Sequence, residues 1–267
     1  MPGGIHEERT NVAVPMTEPS TIEAPAADRR AALDAVAAEI RGCTRCRLSA
    51  DRTNAVPGEG NPDTEVVFVG EGPGFNEDQQ GRPFVGAAGR FLTELIGSIG
   101  WERKDVFITN VVKCRPPGNR DPEPDEIAAC APFLRRQLEV LDPALVVTLG
   151  RFSMQSFLPG ARISQVHGTV HPIDAETGFR AERAFAMYHP AAAFRQQALR
   201  ETIQVDTTGI PAALIAARDA RDARRGTAAE LMPTARPAAP APEPVDPSPP
   251  EPAHAANPSD DQLGLFR

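Results

Sequence analysis

Four short apolar runs constrain this chain more than any other feature: EVVFVG at 65–70, VFITNVV at 106–112, ALVVTLG at 144–150 and RAFAMYH at 183–189. None has the strict alternation of apolar and polar residues that marks a strand with one wet face, so each reads as a strand covered on both faces. Helical patterns lie between them, over 88–99, 124–141 and 151–157, with another at 28–41 ahead of the first strand. Such alternation favours parallel strands joined by crossover helices. The expected fold is therefore α/β: a three-layer α/β/α sandwich around a central four-stranded parallel sheet.

In parallel sheets chemistry collects at the carboxyl ends of the strands. Here the first run leads into GEGPG at 70–74, and the second carries Asn110 and leads to Lys113 and Cys114. The third ends at Gly150 and the fourth in Tyr188, His189 and Pro190. Taken singly, an Asn in a strand is commonly a satisfied structural amide, a His before Pro a turn residue, and a Gly-rich turn as fit for phosphate as for anything else. Their placement along one edge of the sheet points instead to a site.

Four cysteines complete the chemical inventory: Cys43 and Cys46 in CTRC, Cys114 in KCRPP and Cys130 in AAC. A CxxC pair brings two thiolates to one centre, and two further singles make a four-sulfur set that suits zinc or an iron–sulfur cluster. Zinc ribbons gather their ligands in two CxxC knuckles of one small unit. These ligands span almost ninety residues and embrace the second strand, so a metal centre here would staple a domain and not constitute one. Four unrelated core thiols are the plainer alternative. No stretch has the signal-peptide pattern and no apolar run approaches membrane-spanning length, so a cytoplasmic protein without disulfides or a membrane partner is expected.

Charge is informative only once it is divided. The net charge is −8, but residues 1–27 carry one Arg against four Glu and residues 226–267 two Arg against six acids. The central region is close to neutral and holds 25 of the 28 basic residues, which allows a local basic face toward nucleic acid. Residues 1–27 lack apolar periodicity and read as a disordered tail. Residues 226–258 are Pro/Ala-rich, bury too little apolar surface to offset chain entropy, and read as a disordered linker. One domain over 28–225 remains, with no sign of oligomerisation and so expected as a monomer.

Three ordered motifs set among the cysteines, GEGPGFNEDQQGRPFVGAAG, TNVVKCRPPGNRDP and HPAAAFRQ, resemble the family 4 uracil-DNA glycosylases, the type that carries a [4Fe-4S] cluster. The resemblance implies that Cys43, Cys46, Cys114 and Cys130 hold such a cluster and that the substrate is uracil-containing DNA, in a nucleoid-associated protein of base excision repair. It also implies roles for individual residues. Phe84 matches the aromatic on which the base stacks, Asn110 the amide that pairs with the uracil edge, and His189 the group that steadies charge on the departing base. Gly70, Glu71 and Gly72 form the turn whose backbone approaches the base, and Glu77 stands where a thymine methyl would collide.

The best-studied uracil glycosylases have an Asp where Gly72 stands, so Glu71 is the nearest carboxylate by sequence for any general base. The stretch after His189 resembles a loop that enters the duplex, with Phe194 as wedge and Arg195 as phosphate contact. A related branch that traps the sugar covalently uses a His absent from CRPPGNRDPEPDEIAAC, so no covalent adduct is expected. Two other classes of function remain: a lesion-binding sensor with little turnover, and a redox protein that uses only the cysteines.

The last residues, DDQLGLFR at 260–267, resemble the bacterial sliding-clamp-binding peptide, with Gln262, Leu263, Leu265 and Phe266 as its anchors. Apolar side chains at the end of a tail with no core to join are what a docking peptide would leave exposed. Residues 259–267 are thus expected to tether the enzyme to the DNA polymerase sliding clamp.

Overall fold

The computed structural model describes residues 26–231, with side chains as far as residue 223. Helices α1 (Ala26–Gly42) and α2 (Leu48–Asp51) precede strands β1 (Glu59–Gly60) and β2 (Val66–Gly70). Helices α3 (Phe75–Gln80) and α4 (Ala87–Ser98) lead to β3 (Phe107–Asn110), and α5 (Pro124–Leu141) leads to β4 (Leu145–Leu149). After α6 (Arg151–Phe157), α7 (Ile163–Val166) and β5 (Val170–Pro172) comes β6 (Arg183–Met187), followed by α8 (Gln197–Thr207) and α9 (Ile210–Leu231).

The strands form one sheet in the order β1-β3-β2-β4-β6-β5. Its four inner strands pair in parallel and are the four apolar runs of the sequence. The sheet has six strands, not four, because β1 and β5 add antiparallel edges. These edges are two and three residues long and half exposed or exposed, too short for any periodic signal.

Strand pleating divides the core between the two faces. Val66 and Phe68 point into a layer with Leu92 of α4, Ile203 of α8 and Leu214 of α9. Val67 and Val69 point the other way, toward Ile40 of α1, Leu134 of α5 and Phe157 of α6. The result is the three-layer sandwich. Helix α9 runs to Leu231, past residue 226 where the sequence reading starts the linker, because GTAAEL is mostly strong helix formers. The N-terminal tail before residue 26, the linker beyond 231 and the tail peptide with Gln262, Leu263, Leu265 and Phe266 lie outside the described residues. Among the described residues no helix is long and apolar enough to cross a membrane.

Two connections leave the sheet in opposite directions. After β2 the chain turns to the α4 face, and after β4 to the α6 face. A crevice opens between strand ends where this happens, and it is framed here by the 70–74 turn and Gly150. Phe68, 1% exposed in the middle of β2, holds the helical layer beneath that crevice. Phe68→Ala should lower stability by about 3–5 kcal/mol, read as a fall in the midpoint of urea unfolding.

Candidate active site

A pocket of about 390 Å³ occupies this crevice, walled by Glu71, Glu77, Phe84, Asn110, His189 and Arg195 among others. Gly72 and Gly74 also line it, while Gly70 lies beneath. A Cβ at Gly70 would come within 2.6 Å of Phe84 Cζ and would collide with Asn110 Oδ1. Only glycine at the end of β2 therefore lets the ring and the amide close over it.

Phe84 reaches this position through a left-handed backbone, φ 49°, which is uncommon for a bulky residue and marks stored strain at a site. Gly89, in the first turns of α4, accommodates it, since a Cβ there would run into the Phe84 carbonyl. The Phe84 ring lies stacked with His189, centroids 5.7 Å apart and planes 26° from parallel.

Asn110 ends β3 at 1% exposure, and its Oδ1 has no hydrogen-bond partner among the described residues. Such a group is rare in a folded protein and calls for an explanation. Its backbone is firmly held: the carbonyl accepts from Lys113 Nζ at 2.8 Å. That buried ammonium also donates to Thr109 Oγ1 at 2.6 Å and Gln137 Oε1 at 2.7 Å. Burial pulls the Lys113 pKa down to about 7, against the opposing pull of Cys130.

His189 follows β6 by two residues. Pro190 has no N–H, and the His189 Nδ1 accepts from the next amide, Ala191, at 3.1 Å. Burial lowers its pKa to about 4, with Glu77 opposing and Arg195 assisting. The ring is neutral at physiological pH, and the Ala191 bond assigns its proton to Nε2.

The two carboxylates are anchored by backbone amides. Glu77 Oε1 accepts from Val85 and Gly86, both at 2.8 Å. Glu71 Oε1 accepts from Phe152 in the first turn of α6 at 3.0 Å. Burial nevertheless pushes the Glu71 pKa above its ordinary value. A Cβ on Gly72 would lie 2.8 Å from Val112 Cγ2, so a side chain at position 72 would require Val112 to shift. Arg195 faces the pocket, whereas Phe194 stands outside it, 55% exposed with its ring edge-on to Phe91 at 6.2 Å.

Sequence reasoning assigned no role to the opposite wall, formed by Pro116, Asn119, Arg120 and Asp121. These residues lie in the quoted motif TNVVKCRPPGNRDP, whose Pro-Pro and Gly-Asn steps were the available signal. Arg120 forks onto Glu126 of α5 at 2.9 and 2.6 Å, and Glu126 Oε2 also accepts from the Glu123 amide at 2.9 Å. Arg47, next to Cys46, approaches Glu126 from the other side at 3.5 Å.

The four cysteines are free thiols gathered around one small cavity, with Arg52, Lys113 and Phe133. Arg52 Nη1 donates to Cys114 Sγ at 3.0 Å, and the Lys113 amide to Cys130 Sγ at 3.2 Å. The Arg45 amide reaches Cys43 Sγ at 3.5 Å. Burial raises the Cys114 thiol and lifts Cys130 to about 11. Among the described residues no three His, Cys, Asp or Glu side chains form a group that could hold a single metal ion.

Comparison with known proteins places this arrangement. The family model described as the uracil DNA glycosylase superfamily matches residues 57–206. A type-4 uracil-DNA glycosylase from Archaeoglobus fulgidus is 48% identical over 179 residues, 65% of this chain and 89% of that protein. One from Thermotoga maritima is 46% identical over 169 residues, covering 63% and 86%. A type-5 uracil-DNA glycosylase from Thermus thermophilus is 34% identical over 138 residues, covering 44% and 63%.

The Arg120–Glu126 fork yields a stability prediction. Arg120 is the main cause holding the Glu126 carboxyl below the usual range. A lowered folded-state pKa contributes stability above the unfolded value that disappears as pH falls through the folded one. Arg120→Ala should accordingly lower stability around neutral pH, since it removes the bidentate partner of a buried carboxylate and leaves it only Arg47 and the Glu123 amide. In strong acid the variant and the parent should converge, as compared by urea unfolding at both conditions.

Proposed function

The chain belongs to the uracil DNA glycosylase superfamily, within its type-4 group, and from that premise we propose that it excises uracil from DNA, hydrolysing the bond between base and deoxyribose to leave an abasic site. The target nucleotide must leave the stack before its sugar can be reached, and a pocket of this size at the sheet edge suits one extruded pyrimidine. The observation that carries the reading is the orphaned Asn110 Oδ1, buried in the pocket wall beside an aromatic plate. An imide N–H of uracil supplies the missing donor.

The geometry supports the remaining roles. Phe84 stacks on the base, and the strain in its backbone keeps the ring in place before substrate arrives. The neutral His189 donates from Nε2 to the uracil oxygen on which charge accumulates as the bond breaks. A donor already neutral at working pH needs no proton shuffle to do this. Glu77, fixed by two amides, occupies the space a thymine methyl would need, so exclusion is rigid. Glu71 lies at the same end of the pocket, with burial favouring its protonated form more than in water. Water attack on an oxocarbenium-like sugar asks little of a base, so positioning and electrostatics carry most of the rate.

We assign the four cysteines to a [4Fe-4S] cluster, which Cys43, Cys46, Cys114 and Cys130 would hold and which would then tie the α1–α2 connection, the segment after β3 and helix α5 together. Four thiols lining one cavity, three of them accepting from N–H donors, fit a group that needs four thiolates. We read the peptide with Gln262, Leu263, Leu265 and Phe266 as a sliding-clamp tether.

Incubation with a uracil-bearing oligonucleotide followed by alkali should cleave the strand at the uracil. Asn110→Ala and His189→Ala should each lower kcat by about 10²–10³. Because His189 titrates at about 4, the rate should stay level as pH falls through the range of an ordinary histidine and decline only on approach to that value. A bell with its acid limb at the ordinary imidazole pKa would contradict the neutral-donor role. Deleting residues 259–267 should abolish binding to the clamp while leaving turnover on short duplexes unchanged; equal clamp affinity in the truncated chain would remove the tether.

A further inference from the structure

Among the described residues two phenylalanines are more than half exposed, Phe75 at 56% and Phe194 at 55%. Both flank the pocket. Phe194 lies between Ala192 and Arg195 of one wall, and Phe75 lies between Gly74 and Glu77 of another. Phe194 rests its ring on Phe91, but Phe75 is covered by a cation: the Arg115 guanidinium sits over its ring, 5.2 Å from the centroid. Arg115 is itself held, since its Nε donates to Asn119 Oδ1 at 2.7 Å, and Asn119 belongs to the pocket wall. The pair therefore bridges the 70–74 turn and the 116–122 loop at the pocket mouth.

An exposed ring joined to a half-buried guanidinium at the surface is a combination with which proteins hold single-stranded nucleic acid: the ring takes a base face and the cation a phosphate. We propose that Phe75, braced by Arg115, is a stacking platform for the base adjacent to the extruded uracil on the same strand, with Arg115 against the intervening phosphate. The proposal rests on the glycosylase reading. When uracil enters the pocket its strand must cross this rim, and the platform is continuous with the pocket that receives it. Stacking here holds the neighbouring base after its partner has left the helix, which strengthens binding without touching the reacting bond.

Two oligonucleotides separate the effects, one with ordinary nucleotides on both sides of the uridine and one with abasic spacers there, so that phosphates remain but bases do not. On the first, Phe75→Ala should raise KM roughly tenfold with kcat at saturation unchanged; Phe75→Leu, which keeps an apolar side chain, should do nearly the same. On the second, both variants should match the parent. Arg115→Gln should raise KM on both, because its phosphate contact persists. Independently of turnover, Phe75→Trp adds an exposed indole to the single, buried Trp101. Its emission should fall when the protein binds an oligonucleotide with an abasic analogue in place of uridine and intact neighbours. An unchanged KM for Phe75→Ala on the first substrate, an equal rise on both, or an unquenched indole would overturn the platform. Failure of the parent protein to release uracil from either substrate would count against the glycosylase reading, and the indole signal would still decide the stacking.

Discussion

The site depends on one close approach: the missing side chain at Gly70, which lets the Asn110 amide and the Phe84 ring meet over the end of β2. Everything else in the pocket is arranged around that contact. Gly89 admits the strained turn that carries Phe84, and His189 stacks on the ring. A strained, layered wall of this kind holds its shape before any ligand enters, so little of the binding free energy goes into ordering it.

Behind the wall the polar interior is equally committed. Lys113 donates to Thr109, Gln137 and the Asn110 carbonyl, while its own amide points at Cys130 Sγ. One residue thus spans from the thiol cavity to the amide of the pocket. A second route runs along α5, where Glu126 and Cys130 are one helical turn apart and Glu126 holds Arg120 of the opposite wall. The cysteine cavity and the pocket are therefore mechanically adjacent although no cysteine enters the pocket.

Elements with a strong local signal were legible in the sequence. The inner strands are nearly uninterrupted apolar runs because both their faces are covered, and α5 and α6 fall where the periodicity places them. Edge strands β1 and β5 were not, being too short to show a pattern. Helices α3, α8 and α9 were missed too: α3 has six residues within a motif read for its chemistry, and α8 and α9 expose Val205 and Ile215, which blurs their apolar stripes. Among site residues, Gly70, Glu71, Gly72, Glu77, Phe84, Asn110, His189 and Arg195 were all singled out by motif, whereas the wall from Pro116 to Asp121 was not. Loops acquire their positions from what they pack on, and Arg120 faces the pocket because a buried Glu126 anchors it.

By itself the sequence determined the layered α/β architecture, the edge of the sheet at which polar residues gather, and the four-sulfur set, since each rests on spacing along the chain. Only the tertiary structure decided that Asn110 keeps an oxygen unpaired among the described residues, that His189 is neutral with its proton on Nε2, and that a side chain at position 72 would press on Val112. Those properties arise from desolvation and close packing between segments distant in sequence, and no local pattern of residues encodes them.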